Sequence, residues 1–543
     1  MTVTEKPAPG YPARPLIQLH PGSRPDMAHE AIGALAQAKH TYRRGPLLSQ
    51  IVEATPEDEA HRRSPIRQGT PIIRELPMGS LLCELERRIE WKKYSSKAEE
   101  WVPADCPDGL ARIIAAEGPT DGRLPDLLGV LQAPALRQDG TIINERGYDD
   151  RTGYYLAGRA ALKMPAEPTQ DDAKIAWIEL ARLFGGDDSE TSRGFPWEKP
   201  EDCIVPIAAL LTLLARPAIE NPACVPAFFF DAPVRGSGKG TLVQICSLIV
   251  QGRTVAATTW PHAIEEQEKM LGGYALAAPP LLFLDNLRGT ITGEKLEAII
   301  ANEFTGFRIM GGMELADLPW RTIIMIAANN AQIGGDMHRR MIVGRLQPKE
   351  EHPEKIPPEH RRYPNIEAHA LEHRDRYIAA GLTILRAYAL AGCPNPLYVA
   401  SFGSWSRIVG GALKWIGAGD ITAYVGTNVA DEEDETLALR TLAHEWARMD
   451  TVGEGMTAAA VRSYLFPQEV LEAARSGQQR PPDGWESMRE AVETLTQARP
   501  GSPPDMRKLA DKLKSVKGRN FNGIAFEVGG RTHGANRWIA RKV

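Results

Sequence analysis

Residues 228–242 read FFFDAPVRGSGKGTL, from Phe228 to Leu242. The three phenylalanines lie between Pro226 and Asp231, too short a run for a helix and apolar enough for a strand buried on both faces. The chain then turns through Gly236, Ser237 and Gly238 into Lys239, Gly240 and Thr241, and an apolar helical stretch from Leu242 to Val250 follows. Strand, glycine turn, lysine and helix start together make a phosphate cradle. Bare backbone N–H groups and the positive end of the helix dipole converge there, and Lys239 is the cation for the β- and γ-phosphates.

The loop departs from G-x-x-x-x-G-K-[ST] at two places. Pro233, preceded by Ala232, stands where the first glycine belongs, and Gly240 replaces the hydroxyl residue that would ligate magnesium. Thr241 is then left to reach a phosphate or a metal-bound water, so the metal is expected to be held by water and by a carboxylate elsewhere. The candidate nucleotide-binding set is Pro233, Val234, Arg235, Gly236, Ser237, Gly238, Lys239, Gly240, Thr241 and Leu242. The bland alternative is a glycine turn with a chance lysine, and the flanking strand and helix weigh against it.

Three downstream stretches fit such a loop. In LLFLDN, 281–286, four apolar residues carry Asp285 to a strand end, where a carboxylate can organise the metal's water shell. Asn286 follows, where a glutamate would activate the attacking water; an amide takes no proton and can only orient it. In IIMIAANN, 323–330, the strand ends in Asn329 and Asn330, amides suited to sensing the γ-phosphate. GGDMHRRMIV, 334–343, sets Arg339 and Arg340 before another strand, where a guanidinium would reach a neighbouring subunit's nucleotide and stabilise transition-state charge. The plain alternatives are a core strand for the first stretch and surface arginines for the last.

The bulk figures bound the rest. Across 543 residues, 43% apolar and 24% charged describe an ordinary globular chain of several structural units. A net charge of -5 gives no overall pull on nucleic acid, so any such binding must be local. The six cysteines lack a C-x-x-C pair, which argues against a zinc ribbon or a disulfide framework. The longest apolar run, Ile204 to Ala215, is too short for a bilayer and no signal sequence opens the chain, so a cytoplasmic protein with no membrane partner is expected.

Along the chain, residues 1–25 are proline-rich and extended in character, and a helix is expected from Asp26 to Lys39. Asp139-Gly140 marks a hairpin turn, and Thr169 caps a helix running to Phe184. Strands are expected at 227–231, 254–258, 281–285, 322–328 and 341–346, alternating with helices as in a covered parallel sheet. Helices follow at 367–390, 401–416 and 431–449. His369, Glu372 and His373 spell H-x-x-E-H, an inverted zinc-protease signature that also arises by chance in charged helices. Residues 505–543 carry ten Lys or Arg against three acids in the order helix (505–516), strand (524–528), turn (529–535), strand (536–541), a winged-helix ending with a basic helix facing DNA. Lys508, Lys512, Lys514, Arg519 and Arg531 are its candidate DNA contacts; the alternative is a solvated basic tail.

The motifs APVRGSGKGT, LLFLDN, IAANN and HRRM, in this order, resemble the AAA+ ATPases of helicase superfamily 3, of the poxvirus and phage or plasmid primase-helicase type. The resemblance extends more loosely to GYDDRTGYY upstream and SFGSWSRIVGGALKWIG downstream. It implies an α/β fold: an AAA+ P-loop parallel-sheet core with an α+β amino-terminal region, a helical lid and a carboxy-terminal winged helix. The regions are 1–165, 166–346, 347–430 and 431–543. It further implies a hexameric ring that uses ATP and Mg2+ to move along single-stranded DNA and open forked DNA during replication of a mobile element. A pore hairpin would span 308–321, leaving Arg308 and Arg321 as its basic residues. No carboxylate set for nucleotide polymerisation is found in residues 1–200, so priming would fall to a separate primase. Two other classes stay open: a DNA-binding initiator or loading ATPase that does not unwind, kept alive by Asn286, and a nucleotide kinase, which shares the G-K-G-T loop ending.

Overall fold

The computed structural model describes residues 14–542, except 56–67, 159–161, 187, 190, 221, 262, 288–289, 292–293, 309–314, 330–331, 334, 351, 426–428, 451–452, 476–483, 499–501, 519, 522 and 533. By contact the chain divides into two units, residues 1–426 and 427–543.

The first unit is built on a five-stranded sheet of β1 (Ala227–Ala232), β2 (Ala257–Thr258), β3 (Leu281–Leu287), β4 (Ile323–Asn329) and β5 (Met341–Arg345). Its order is β2-β3-β4-β1-β5 and every pairing is parallel. Phe228, Phe229 and Phe230 are each 0% exposed, as a central strand covered on both faces requires. β2 keeps two of its five expected residues, and β5 ends one residue early, at Arg345. Gln244, on the helix Lys239–Gln251, accepts from the Val255 N–H (2.9 Å) and donates to the Val255 carbonyl (2.8 Å), so that backbone is satisfied before the sheet can claim it.

The apolar run Ile204–Ala215 is a helix buried along all 12 residues, part of the core rather than a surface element. Trp405 packs against it, donating to Thr212 Oγ1 at 2.8 Å and lying edge-on to Phe228. The expected helix 401–416 is wound in three pieces, Gly403–Trp405, a π-helical Ser406–Gly410 and Gly411–Trp415. A Cβ on Gly411 would stand 2.2 Å from the Tyr388 hydroxyl, so glycine is what lets this segment approach its neighbour.

Residues before the sheet form small mixed sheets and helices. Gly140, at φ +81, turns the Asp139-Gly140 hairpin as expected. Thr169 and Asp172 form a reciprocal capping box at the start of Gln170–Phe184. The first helix runs Arg24–Ala38, two residues earlier than expected, because Pro25 is accepted in the first turn. Arg44 is buried and donates to the carbonyls of Leu127 (2.8 Å), Leu128 (3.1 Å), Leu276 (2.7 Å) and Ala275. Two of those acceptors end the helix Ile264–Ala277 beside the sheet, so one side chain fastens the amino-terminal region to the sheet domain.

The second unit has helices Val429–Met449, Ala458–Leu465, Gln468–Arg475, Glu486–Thr496 and Met506–Ser515, and a long hairpin Ile524–Thr532/Ala535–Lys542. Met456 bridges to Trp538. Phe521, Phe526, Trp538 and Trp446 are buried together, which makes this a folded core and not a basic tail. The turn is tighter than expected. Strand pairing continues to Thr532 opposite Ala535, and the glycine pair 529–530 sits at a bulge in the strand.

Candidate functional site

Strand order and register decide what meets at the glycine loop. β4 lies between β1 and β3, with Ala232 opposite Asn329 and Phe230 opposite Ala327, itself opposite Asp285. Alternate residues of a strand face one side. Asp285 and Asn329 therefore share a face of the sheet at its carboxyl edge, where ligands of parallel α/β sheets are bound. Asp231, one residue out of phase, turns to the opposite face, in register with Arg345.

The loop itself has the required backbone. Gly236 (φ +72) and Gly238 (φ +96) adopt left-handed conformations, and the helix Lys239–Gln251 starts at the lysine. Arg374 secures the far end of that helix, donating to the Ile249 and Val250 carbonyls at 2.7 and 3.0 Å. Lys239 is buried, and its ammonium donates to Val234 O (3.2 Å), Ser237 Oγ (2.9 Å) and Asn329 Oδ1 (2.8 Å). All three acceptors are neutral, so an anionic phosphate oxygen would be a stronger partner for the same cation. Burial lowers the Lys239 pKa, and the charges of Asp231 and Asp285 act against that.

Donors and carboxylate of these kinds could hold a phosphate group and a divalent cation. The loop N–H groups from Gly236 to Thr241 and the Lys239 ammonium suit phosphate, while Asp285 and Thr241 are the oxygen donors at hand. Pro233 and Arg235 are exposed and Val234 half-buried, forming the outer rim, and Gly240 packs on Phe283. Asn286 falls at a β-bulge between Asp285 and Leu287, where the register shifts by one residue. Asn330 lies outside the described residues.

Two residues beside the loop escaped sequence reasoning. A Cβ on Gly236 would be 2.5 Å from a Glu354 carboxylate oxygen, and one on Gly238 would be 3.1 Å from the Phe195 ring. Neither residue belongs to a motif. The nearest sequence signal was the aromatic pair Phe195 and Trp197 in an otherwise polar stretch.

The arginine pair is split by the fold. Arg340 donates to the Glu297 carbonyl at 2.6 Å and stands 3.9 Å from its carboxylate, within its own subunit, whereas Arg339 is exposed. Arg308 pairs in register with Leu315 at the far end of the antiparallel strands Phe304–Arg308 and Leu315–Pro319, and the tip 309–314 lies outside the described residues. Arg321 has to be removed from the expected DNA-facing set. It is 8% exposed and bonded to Glu303 at 2.7 Å, packed into the interior beside Arg216.

In the second unit, the helix Met506–Ser515 buries Leu509 and Leu513 and exposes Arg507, Lys508 and Lys514, with Lys512 half-buried. Lys514 pairs with Asp511 at 2.9 Å, and Arg531, on the hairpin, is exposed and bonded to Asn536 at 3.2 Å. Arg519 lies outside the described residues.

The H-x-x-E-H residues do other work. The helix breaks at His373, between Ile366–Glu372 and Arg374–Leu390. His369 stacks on Tyr363 at 4.1 Å and shares a hydrogen bond with the Tyr377 hydroxyl at 2.9 Å. Burial, then the neighbouring His373, lowers the His369 pKa below its usual 6.5. A histidine depressed in the folded state favours folding above the unfolded pKa, and that contribution is lost as pH falls through the folded pKa. The melting temperature of the wild type should therefore drop more between about pH 7.5 and about pH 5.5 than that of His369→Phe, as followed by circular dichroism.

No family profile and no curated protein matches the chain. Among solved structures, the apo A-form C-terminal region (305–718) of NrS-1 aligns over 85% of this chain and 98% of that one, at 12% identity and a TM-score of 0.31. A likeness of that depth carries no argument about activity. No described helix is long and apolar enough to cross a membrane.

Proposed function

We propose that this protein is an ATP-driven DNA translocase of the AAA+ superfamily 3 type, which assembles as a hexameric ring and opens forked DNA in the replication of a mobile element. The observation that carries the reading is the interleaved order of the sheet. Placing β4 between β1 and β3 brings the lysine loop, the Asn329 amide and the Asp285 carboxylate to one edge. A folded basic helix and hairpin in the second unit support the DNA partner, as a winged helix with Lys508, Lys512, Lys514, Arg519 and Arg531 toward phosphates.

In this mechanism the loop N–H groups and Lys239 hold the β- and γ-phosphates and take up charge as it moves onto the leaving oxygens. Asn329 already bonds Lys239, and its amide orients the lysine and the γ-phosphate together. Asp285 and Thr241 would hold magnesium, which supplies charge neutralisation across the phosphates. Arg339 acts on the next subunit's nucleotide, and Arg340 positions it by anchoring the turn to Glu297. Arg308 remains a pore candidate.

The competing reading is an initiator or loading ATPase that binds DNA without travelling. It draws on Asn286, which cannot accept a proton, at a bulge that re-aims the strand end. A strand-displacement assay on forked DNA separates the two: ATP-dependent unwinding supports the translocase, and DNA-stimulated hydrolysis without unwinding supports the loader. Transfer of phosphate to a nucleoside monophosphate would instead indicate a kinase.

The shared site has its own test. Lys239→Ala and Arg339→Ala should each be inactive alone, yet a mixture should regain a measurable fraction of hydrolysis. Some interfaces in the mixture combine an intact loop with an intact arginine. If the mixture stayed as inactive as its parts, the arginine would not act across subunits.

A further inference from the structure

We propose that the interior of the first unit holds a specific site for one small monovalent anion, of chloride or bromide size, between Tyr154, Arg216 and Arg321. Nothing in the ATPase reading calls for it, and it stands whether or not ATP is hydrolysed.

Arg44, Arg216 and Arg321 are all buried, at 2%, 5% and 8% exposure, and the carboxylate bonded within this group is that of Glu303, to Arg321. Arg44 and Arg216 spend their donors on backbone carbonyls. Arg216 bonds Arg321 O and Trp320 O at 3.0 Å each, with a longer contact to Ile219 O. Carbonyl dipoles satisfy donors without cancelling a net charge. Burial pushes the pKa of both Arg44 and Arg216 down to about 10, and each also feels the charge of Arg321, so the three guanidinium groups carry more positive charge than the Glu303 carboxylate balances.

Two donors are left over at the same place. Arg321 Nη1 and the Tyr154 hydroxyl are buried without a hydrogen-bond partner. Such atoms are costly unless something meets them. Both residues, with Arg216, line one interior cavity of about 20 Å³, walled otherwise by Gln132 and by apolar groups such as Leu213, Val250 and Ile323. That volume admits a single guest about the size of a water molecule. A guest that accepts from a guanidinium N–H and a phenol O–H, offers nothing to donate and carries a negative charge meets every condition. A halide does so, whereas sulfate or phosphate exceeds the space.

The site joins Tyr154 of the amino-terminal region to Arg321, two residues beyond the strand Leu315–Pro319, so occupancy should be read out as stability. For the full chain, replacing gluconate by chloride or bromide at constant ionic strength should raise the melting temperature by about 3 °C, following ligand linkage to the folded state. Tyr154→Phe deletes one donor while keeping the ring, and should weaken the halide response about fivefold, the loss of one hydrogen bond. Crystals of the wild type grown in bromide should show an anomalous peak between the Tyr154 hydroxyl and Arg321 Nη1. A cavity containing water alone in those crystals would overturn the assignment. So would a melting temperature indifferent to halide, or an equal halide response in Tyr154→Phe. The crystal and the wild-type titration need no variant to fold.

Discussion

Lys239→Ala is expected to lower ATP hydrolysis at least a hundredfold and to abolish unwinding of forked DNA. The ammonium is the buried cation in the cradle, and removing one preorganised charge partner from a transition state typically costs about 3–4 kcal/mol, a factor of about 10² to 10³. Folding should survive. The three atoms that accept from Lys239 are neutral, and Val234 and Asn329 stand at the half-exposed rim, where water can replace the lost donor. Calorimetry of the variant should then show a nearly unchanged melting temperature beside a collapsed rate. A hydrolysis rate within threefold of wild type would mean that the glycine loop does not hold the reacting phosphates.

Trp405→Ala should be the most damaging of the core substitutions. The side chain is 0% exposed, lies edge-on to both Phe228 and Phe402, and donates to Thr212 Oγ1. Truncating a buried tryptophan costs about 3–5 kcal/mol through lost transfer energy and the cavity left behind. The orphaned Thr212 hydroxyl adds little, because it still donates to Ala208 O at 2.6 Å within its helix. The effect should also reach the nucleotide, since Phe228 lies near the start of the strand that leads into the glycine loop. Chemical denaturation should show the stability loss, and fluorescent ATP-analogue titration a weaker affinity at temperatures where the variant remains folded. Trp405→Phe should recover more than half of both.

What the chain disclosed in advance was local. The phenylalanine triplet, the Asp139-Gly140 turn and the Thr169 cap each announce themselves within a few residues, because strand burial, positive φ and helix capping are short-range requirements. The sheet strands fell close to their expected positions for the same reason, and β2 shortened only because Gln244 competes for its backbone. Partners distant in sequence were invisible. Arg321 looked like a pore cation until Glu303 and the interior claimed it, and Arg340 looked equivalent to Arg339 until the carbonyl of Glu297, 43 positions away, held it. Glu354 and Phe195 reach the loop from segments with no recurring pattern, and no spacing rule points to them.

Arg44 bears on how the protein can be dissected. Its acceptors lie as far as 232 positions along the chain, at the end of the helix Ile264–Ala277. A fragment begun after residue 165 to isolate the sheet domain would strip that helix of its closing donor and bare the Leu276 and Ala275 carbonyls. Poor solubility or weak activity in such a fragment would then reflect a torn seam, and would say nothing about whether the missing part takes a share in the chemistry.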